Sequence, residues 1–206
     1  MDSTKHLDDL TQIRSIMERS TRFLSLSAWS AILAGIYALI GAFIGYRMIY
    51  YSPVVIYDTL ENGIFNTNTI PLFLVATVVF VLASLTGIYM SYRKAKQAGQ
   101  SLWTKAAIRL LVNFNIPMAA GGVFVFILLS RGYVDLLASA TLLFYGFALL
   151  NAGNFTFSDI RTLGILEIIL GLLAAAFPGK GLIFWTLGFG VLHIVYGAII
   201  YFKYEK

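Results

Sequence analysis

The sequence predicts an all-α membrane protein: six transmembrane helices arranged as three antiparallel hairpins, preceded by an amphipathic N-terminal helix. Three observations predict it. Apolar runs long enough to cross a bilayer fill most of the 206 residues. Hydrophobic residues make up 59% of the chain and charged residues only 12%, where a soluble domain carries about 25% charge. The 15 Lys and Arg residues also divide unevenly between the two sides that a six-span path defines. The expected organisation is a cytoplasmic segment 1–24 followed by one transmembrane domain, 25–206.

In the N-terminal segment, Leu7, Leu10, Ile13, Met17 and Leu24 recur at helical spacing. Asp8, Asp9, Arg14, Glu18, Arg19 and Arg22 fill the other faces, and Ser3 or Thr4 supplies an N-cap. Such a helix lies along an anionic membrane surface, packs under the bundle or docks on a partner. Its acids and polarity exclude a cleavable signal peptide.

The first span, about 26–46, has no charge, and the second, about 70–92, matches it. Each meets the roughly 20 apolar residues that crossing the hydrocarbon core requires. Between them lies the one sizeable outer loop, Arg47 to Thr69. The third span is about 106–130, with Pro117 inside it, and the fourth about 133–153. The fifth and sixth, about 161–177 and 181–202, are joined by Pro178-Gly179-Lys180-Gly181. Pro and Gly end one helix and turn the chain, and so short a link permits only an antiparallel hairpin.

With the N-terminus in the cytoplasm, twelve basic residues fall inside: Lys5, Arg14, Arg19, Arg22, Arg93, Lys94, Lys96, Lys105, Arg109, Arg161, Lys203 and Lys206. Arg47, Arg131 and Lys180 fall outside. The positive-inside rule therefore places both termini in the cytoplasm, which requires an even number of spans. The same distribution accounts for the net charge of +5 without nucleic acid as a partner.

Three features bear on function. Glu167, in the fifth span, and His193, in the sixth, are the intramembrane polar pair. Folding about Gly179 sets Glu167 opposite roughly position 191, so His193 lies at nearly the same depth. Charged groups in a membrane are costly and have partners or a task. A Glu–His contact can pass a proton or sense pH, or serve as a structural hydrogen bond; both readings are open. Lys105, Arg109, Asn113, Asn115 and Pro117, with Asn151 and Asn154 at the end of the fourth span, form an inner polar cluster. They line a cavity for an anion or small solute, or else Arg109 snorkels to headgroups while the amides bond neighbouring helices. The third feature is a repeat: Thr86-Gly87, Tyr145-Gly146 and Tyr196-Gly197 in the even helices, echoed by Gly35-Ile36 and Gly164-Ile165 in the odd ones.

Enzyme chemistry finds few candidates. The chain has no cysteine and two histidines. It contains no phosphate-binding loop, no H-E-x-x-H and no G-x-S-x-G. No catalytic residue, metal or cofactor is expected, since one Glu with one His is too few ligands for a metal.

Residues 164–204, GILEIILGLLAAAFPGKGLIFWTLGFGVLHIVYGAIIYFKY, resemble the hairpin unit of the HdeD-type acid-resistance membrane proteins. Gly164, Pro178 and Gly197 fill the places of that unit's Gly-Ile start, outer-turn proline and return-helix glycine. The polar N-terminal segment and the long first outer loop depart from the pattern. The resemblance implies a non-enzymatic protein of the bacterial inner (cytoplasmic) membrane, in envelope or acid stress response. Two other readings stay open: a small transporter or channel for protons, an anion or a small solute, and a membrane-embedded regulator or assembly partner. The expected partners are the lipid bilayer, a second copy of the chain, and a proton or small solute.

Overall fold

The computed structural model describes residues 23–51, 70–99, 101 and 103–206. Within them the chain is helical, with no strand. Six helices follow one another: α1 Ala28–Tyr51, α2 Ile70–Gln97, α3 Lys105–Ser130, α4 Leu137–Ala152, α5 Asp159–Ala176 and α6 Gly181–Glu205. A short 3-10 turn, Val134–Leu136, leads into α4. Five helices are long and apolar enough to cross a membrane. The sixth, α5, has 18 residues and carries Asp159, Arg161 and Glu167. The expected amphipathic helix lies outside the described residues except for Phe23 and Leu24, as do positions 52–69 of the first outer loop.

Local chemistry explains the helix limits. Thr104 caps α3 by accepting a hydrogen bond from the Ala107 amide at 3.1 Å. At the other end of α3 the chain turns through Gly132 at φ +87°, and the Tyr133 amide reaches back to the Leu128 carbonyl at 3.0 Å. That is the left-handed glycine termination of a helix. The α5–α6 turn uses Gly179 at φ +79° in the same way, right after Pro178. Pro117 lies inside α3, which continues through it to Ser130. Helix α6 is irregular: π-helical over Thr186–Leu192 and again over Tyr201–Glu205, α-helical between.

Contact between helices is not confined to neighbours in sequence. Helix α1 meets α2 through Gly41 on Val79 and Gly45 on Leu72. It packs equally against α6, where Gly35 leaves a Cβ only 2.7 Å from the Gly190 carbonyl oxygen. Helix α4 packs against α5 through mutual glycines: a Cβ on Gly146 or on Gly164 would sit 2.7 Å from the other's carbonyl oxygen. Backbones approach this closely only where side chains are missing. Helices α2 and α3 lie at the flanks, with Phe73, Phe80, Leu85, Val123 and Phe126 exposed.

The glycine contacts bear on the internal repeat. Gly146 faces the Gly164 carbonyl and the Ile168 amide as Gly197 faces the Ala28 carbonyl and the Ile32 amide. These contacts pair Tyr145-Gly146 with Tyr196-Gly197, as the sequence does. Gly164 against the Gly146 carbonyl and the Leu150 amide likewise has the form of Gly35 against the Gly190 carbonyl and the Ile194 amide.

At the end that gathers the start of α1 and the ends of α2 and α6, charges tie the helices together. Glu205 Oε1 accepts from the Ala28 amide at 2.9 Å and from Lys94 Nζ at 2.7 Å. Lys94 also donates to the Leu26 carbonyl at 2.7 Å. A carboxylate at the first turn of α1 satisfies an otherwise orphan amide and complements the helix dipole. The segment before α1 is pinned to the α4–α5 connection: Phe23 N–H donates to the Phe155 carbonyl at 2.7 Å, and the Thr156 hydroxyl to the Phe23 carbonyl at 2.8 Å.

Candidate functional site

Glu167 lies eight residues into α5, roughly 12 Å along its axis at 1.5 Å per residue. Its side chain is wholly buried, at 0% exposure, and neither carboxyl oxygen has a hydrogen-bond partner. His193, 5% exposed, comes from α6 and places Nδ1 3.5 Å from Glu167 Oε1. That is an ion-pair distance beyond a hydrogen bond.

His193 is otherwise fully engaged. Nδ1 lies 3.0 Å from the Gly188 carbonyl oxygen and Nε2 lies 2.7 Å from the Tyr145 hydroxyl. A carbonyl only accepts, so in the neutral imidazole Nδ1 carries the proton and Nε2 accepts from Tyr145 O–H. Gly188 sits inside the π-helical stretch, five residues before His193. π-Helical segments inside α-helices often occur at functional sites.

Gly188 also gives the carboxyl its space. A Cβ there would fall on Glu167 Oε2 and 2.6 Å from Leu142 Cδ2. Leu142 is itself wholly buried. Leu142 of α4 and Gly188 of α6 therefore close one side of the carboxyl, and His193 stands 3.5 Å from Oε1. Half-buried aromatic rings continue from the imidazole: Phe189 and Tyr145 are 5.0 Å apart, Trp185 and Phe189 5.0 Å, Phe114 and Tyr145 6.0 Å.

The residues of the inner polar cluster make local bonds. Arg109, Asn115, Asn151 and Asn154 are exposed and Asn113 is half-buried. Asn113 and Asn115 donate to the carbonyls four residues back, Arg109 and Leu111, each at 2.8 Å. Asn154 donates to the Asn151 carbonyl at 3.2 Å. Each of these amides is satisfied on its own stretch of chain, so none need reach across to another helix. Among the described residues no group of three His, Asp or Glu side chains is placed to hold a metal.

Residues not singled out from the sequence complete the picture. Tyr145 appears there only as a repeat position. Asp159 at the start of α5 binds Lys203 Nζ at 3.1 Å and accepts from the Tyr204 hydroxyl at 2.8 Å. Partial burial pushes the Asp159 carboxyl up, but the bonds from Tyr204 and Lys203 outweigh it and hold the group below the usual carboxylate range. The Asp159 carboxylate in turn raises the Lys203 ammonium.

No protein-family model, curated protein or solved structure matches the chain. The functional reading accordingly rests on the geometry of Glu167, His193, Gly188 and Tyr145.

Proposed function

We propose that the chain is a non-enzymatic multi-pass protein of the bacterial inner membrane, its six helices paired as three hairpins with both termini cytoplasmic, and that it responds to proton concentration. Envelope or acid stress response, as the resemblance to the HdeD-type proteins implies, is the process this fits. The observation that carries the reading is the unpartnered, wholly buried Glu167 carboxyl beside His193. A buried ionised carboxylate without a partner is costly. Gaining or losing one proton therefore changes what the surrounding helices must accommodate. Because the carboxyl is closed on the Leu142–Gly188 side, the arrangement favours a sensor over a conducting path.

The groups facing Glu167 are few. Tyr145 comes from α4 and His193 from α6. On α5 itself Asp159 and Arg161 stand at its first turns, and Asp159 is held by Lys203 and Tyr204.

The test is hydrogen exchange of the reconstituted protein between pH 5 and pH 8, corrected for intrinsic rates. The reading expects protection of amides 186–192 to change with pH, and expects the change to vanish in Glu167→Gln. Equal protection at both pH values removes it. A proton flux across protein-containing vesicles that Glu167→Gln abolishes would favour the transporter reading instead. Surface labelling from outside at position 62 but not at position 96 checks the orientation.

A further inference from the structure

The two flanking helices carry positive charge that nothing in the described structure balances. Helix α2 packs on α1 and α3 on α4, and residues 98–104 join α2 to α3. Arg93 and Lys96 stand one turn apart near the end of α2, Lys105 and Arg109 one turn apart at the start of α3, and all four are exposed. Among the described residues none of the four makes an ion pair. No Asp or Glu occurs between residues 62 and 134. The described acids elsewhere are engaged or remote. Glu205 holds Lys94, Asp159 holds Lys203, Glu167 is buried, and Asp135 lies beyond the other end of α3.

Basic residues suit the end of α2, where the helix dipole is negative. The start of α3 is positive, so Lys105 and Arg109 are unfavourable there unless an anion joins them. No acidic residue stands in the first turn of α3 to offset them. Beside the four cations Trp103 is 70% exposed and Tyr92 50% exposed. Amphipathic rings of this kind sit at the level of lipid headgroups. We propose that Arg93, Lys96, Lys105 and Arg109 bind the phosphates of anionic phospholipids in the inner leaflet, with Trp103 and Tyr92 at the same depth. This rests on the inner-membrane reading and adds which lipid the chain selects and where. A guanidinium matches two phosphate oxygens at once, and an ammonium meets them as a point charge. A zwitterionic lipid brings its own cation close to its phosphate, which the four basic side chains repel. The site therefore discriminates by net headgroup charge. Ile88 and Val112, deeper along the same helices and exposed, give the acyl chains an apolar wall.

The experiment uses the full chain with Trp29→Phe and Trp185→Phe, which leaves Trp103 as the only indole. The protein is placed in vesicles of mixed phosphatidylglycerol and phosphatidylcholine, with chains brominated near the headgroup on one lipid or the other. Quenching of Trp103 then reports which lipid lies beside it. The expected result is an enrichment of phosphatidylglycerol over phosphatidylcholine of about fivefold, the attraction of one basic residue near an anionic surface. The preference should fall away in about 1 M salt, where charges are screened within a few ångströms. It should also be lost when Arg93, Lys96, Lys105 and Arg109 are all replaced by Gln. Should that variant fail to fold, the salt dependence of the parent protein carries the test. Equal quenching by the two lipids in the parent protein, or a preference that salt leaves unchanged, overturns the proposal. A preference abolished by sodium phosphate but not by sodium chloride of the same ionic strength makes the ligand a free phosphate, and the lipid site falls. If neither brominated lipid quenches Trp103, the membrane reading itself fails.

Discussion

Gly188 and Glu167 share one space: the carboxyl of Glu167 occupies the volume that a side chain at position 188 would need. Gly188→Ala is therefore expected to destabilise the fold by about 1–3 kcal/mol, the cost of overpacking a well-filled interior. Thermal unfolding in detergent measures it. Gly87, in α2, is the control, since nothing lies within 4 Å of its Cβ direction. Gly87→Ala should be neutral or stabilising by roughly 0.5–1 kcal/mol.

Glu167→Gln keeps the shape of the carboxyl and removes its ability to ionise. The folded amount and the unfolding temperature at neutral pH should be retained, while the pH response disappears. His193→Ala leaves the Tyr145 hydroxyl and the carboxyl without their neighbour, and is expected to cost roughly 1–3 kcal/mol, the penalty of an unmade buried hydrogen bond. A loss of stability in Glu167→Gln as large as in His193→Ala would mean that the carboxyl is structural.

The helices long and apolar enough to cross a membrane are legible in the sequence because an unbroken apolar run of that length leaves the chain few other structures. The depth match of Glu167 and His193 is legible too, because a tight turn at Gly179 and a fixed helical rise make it a matter of counting. Tyr145 is not, since no local pattern says that α4 lies beside α6 at that depth. The π-helical stretch is hidden as well: Gly188 and Gly190 read equally well in an α-helix. Lys94 and Glu205 read as charges at helix ends, yet 111 residues of separation bring them to 2.7 Å. The local bonding of the Arg109 to Asn154 residues is not legible either. The Asn113 and Asn115 amides find partners on their own helix, which residue type and spacing do not announce.

Glu205 caps α1 from the far end of the chain. Glu205→Gln weakens both the bond to the Ala28 amide and the ion pair with Lys94. The expected loss is about 0.5–2 kcal/mol, the range of an N-cap. Lys94→Met should lower stability less in the Glu205→Gln background than alone. Additive losses would show that the two residues do not act together.

Asp159, in the first turn of α5, carries a pH dependence of its own. Its folded-state carboxyl titrates below the ordinary value, so its stabilisation is present above that value and is lost as pH falls through the folded one. Asp159→Asn should therefore lower the unfolding temperature at neutral pH. In strong acid, where wild type has also lost the charge, the two should converge. A constant difference across the whole range would contradict the ion pair with Lys203.

Trp185 reports on the centre directly, because its ring lies 5.0 Å from Phe189, which lies 5.9 Å from the His193 ring. With the exposed Trp29 and Trp103 replaced by Phe, Trp185 is the only indole, and its fluorescence in lipid vesicles can be followed from pH 5 to pH 8. The account predicts a single sigmoidal change that Glu167→Gln abolishes. A signal that is flat with pH, or one that persists unchanged in Glu167→Gln, would contradict it.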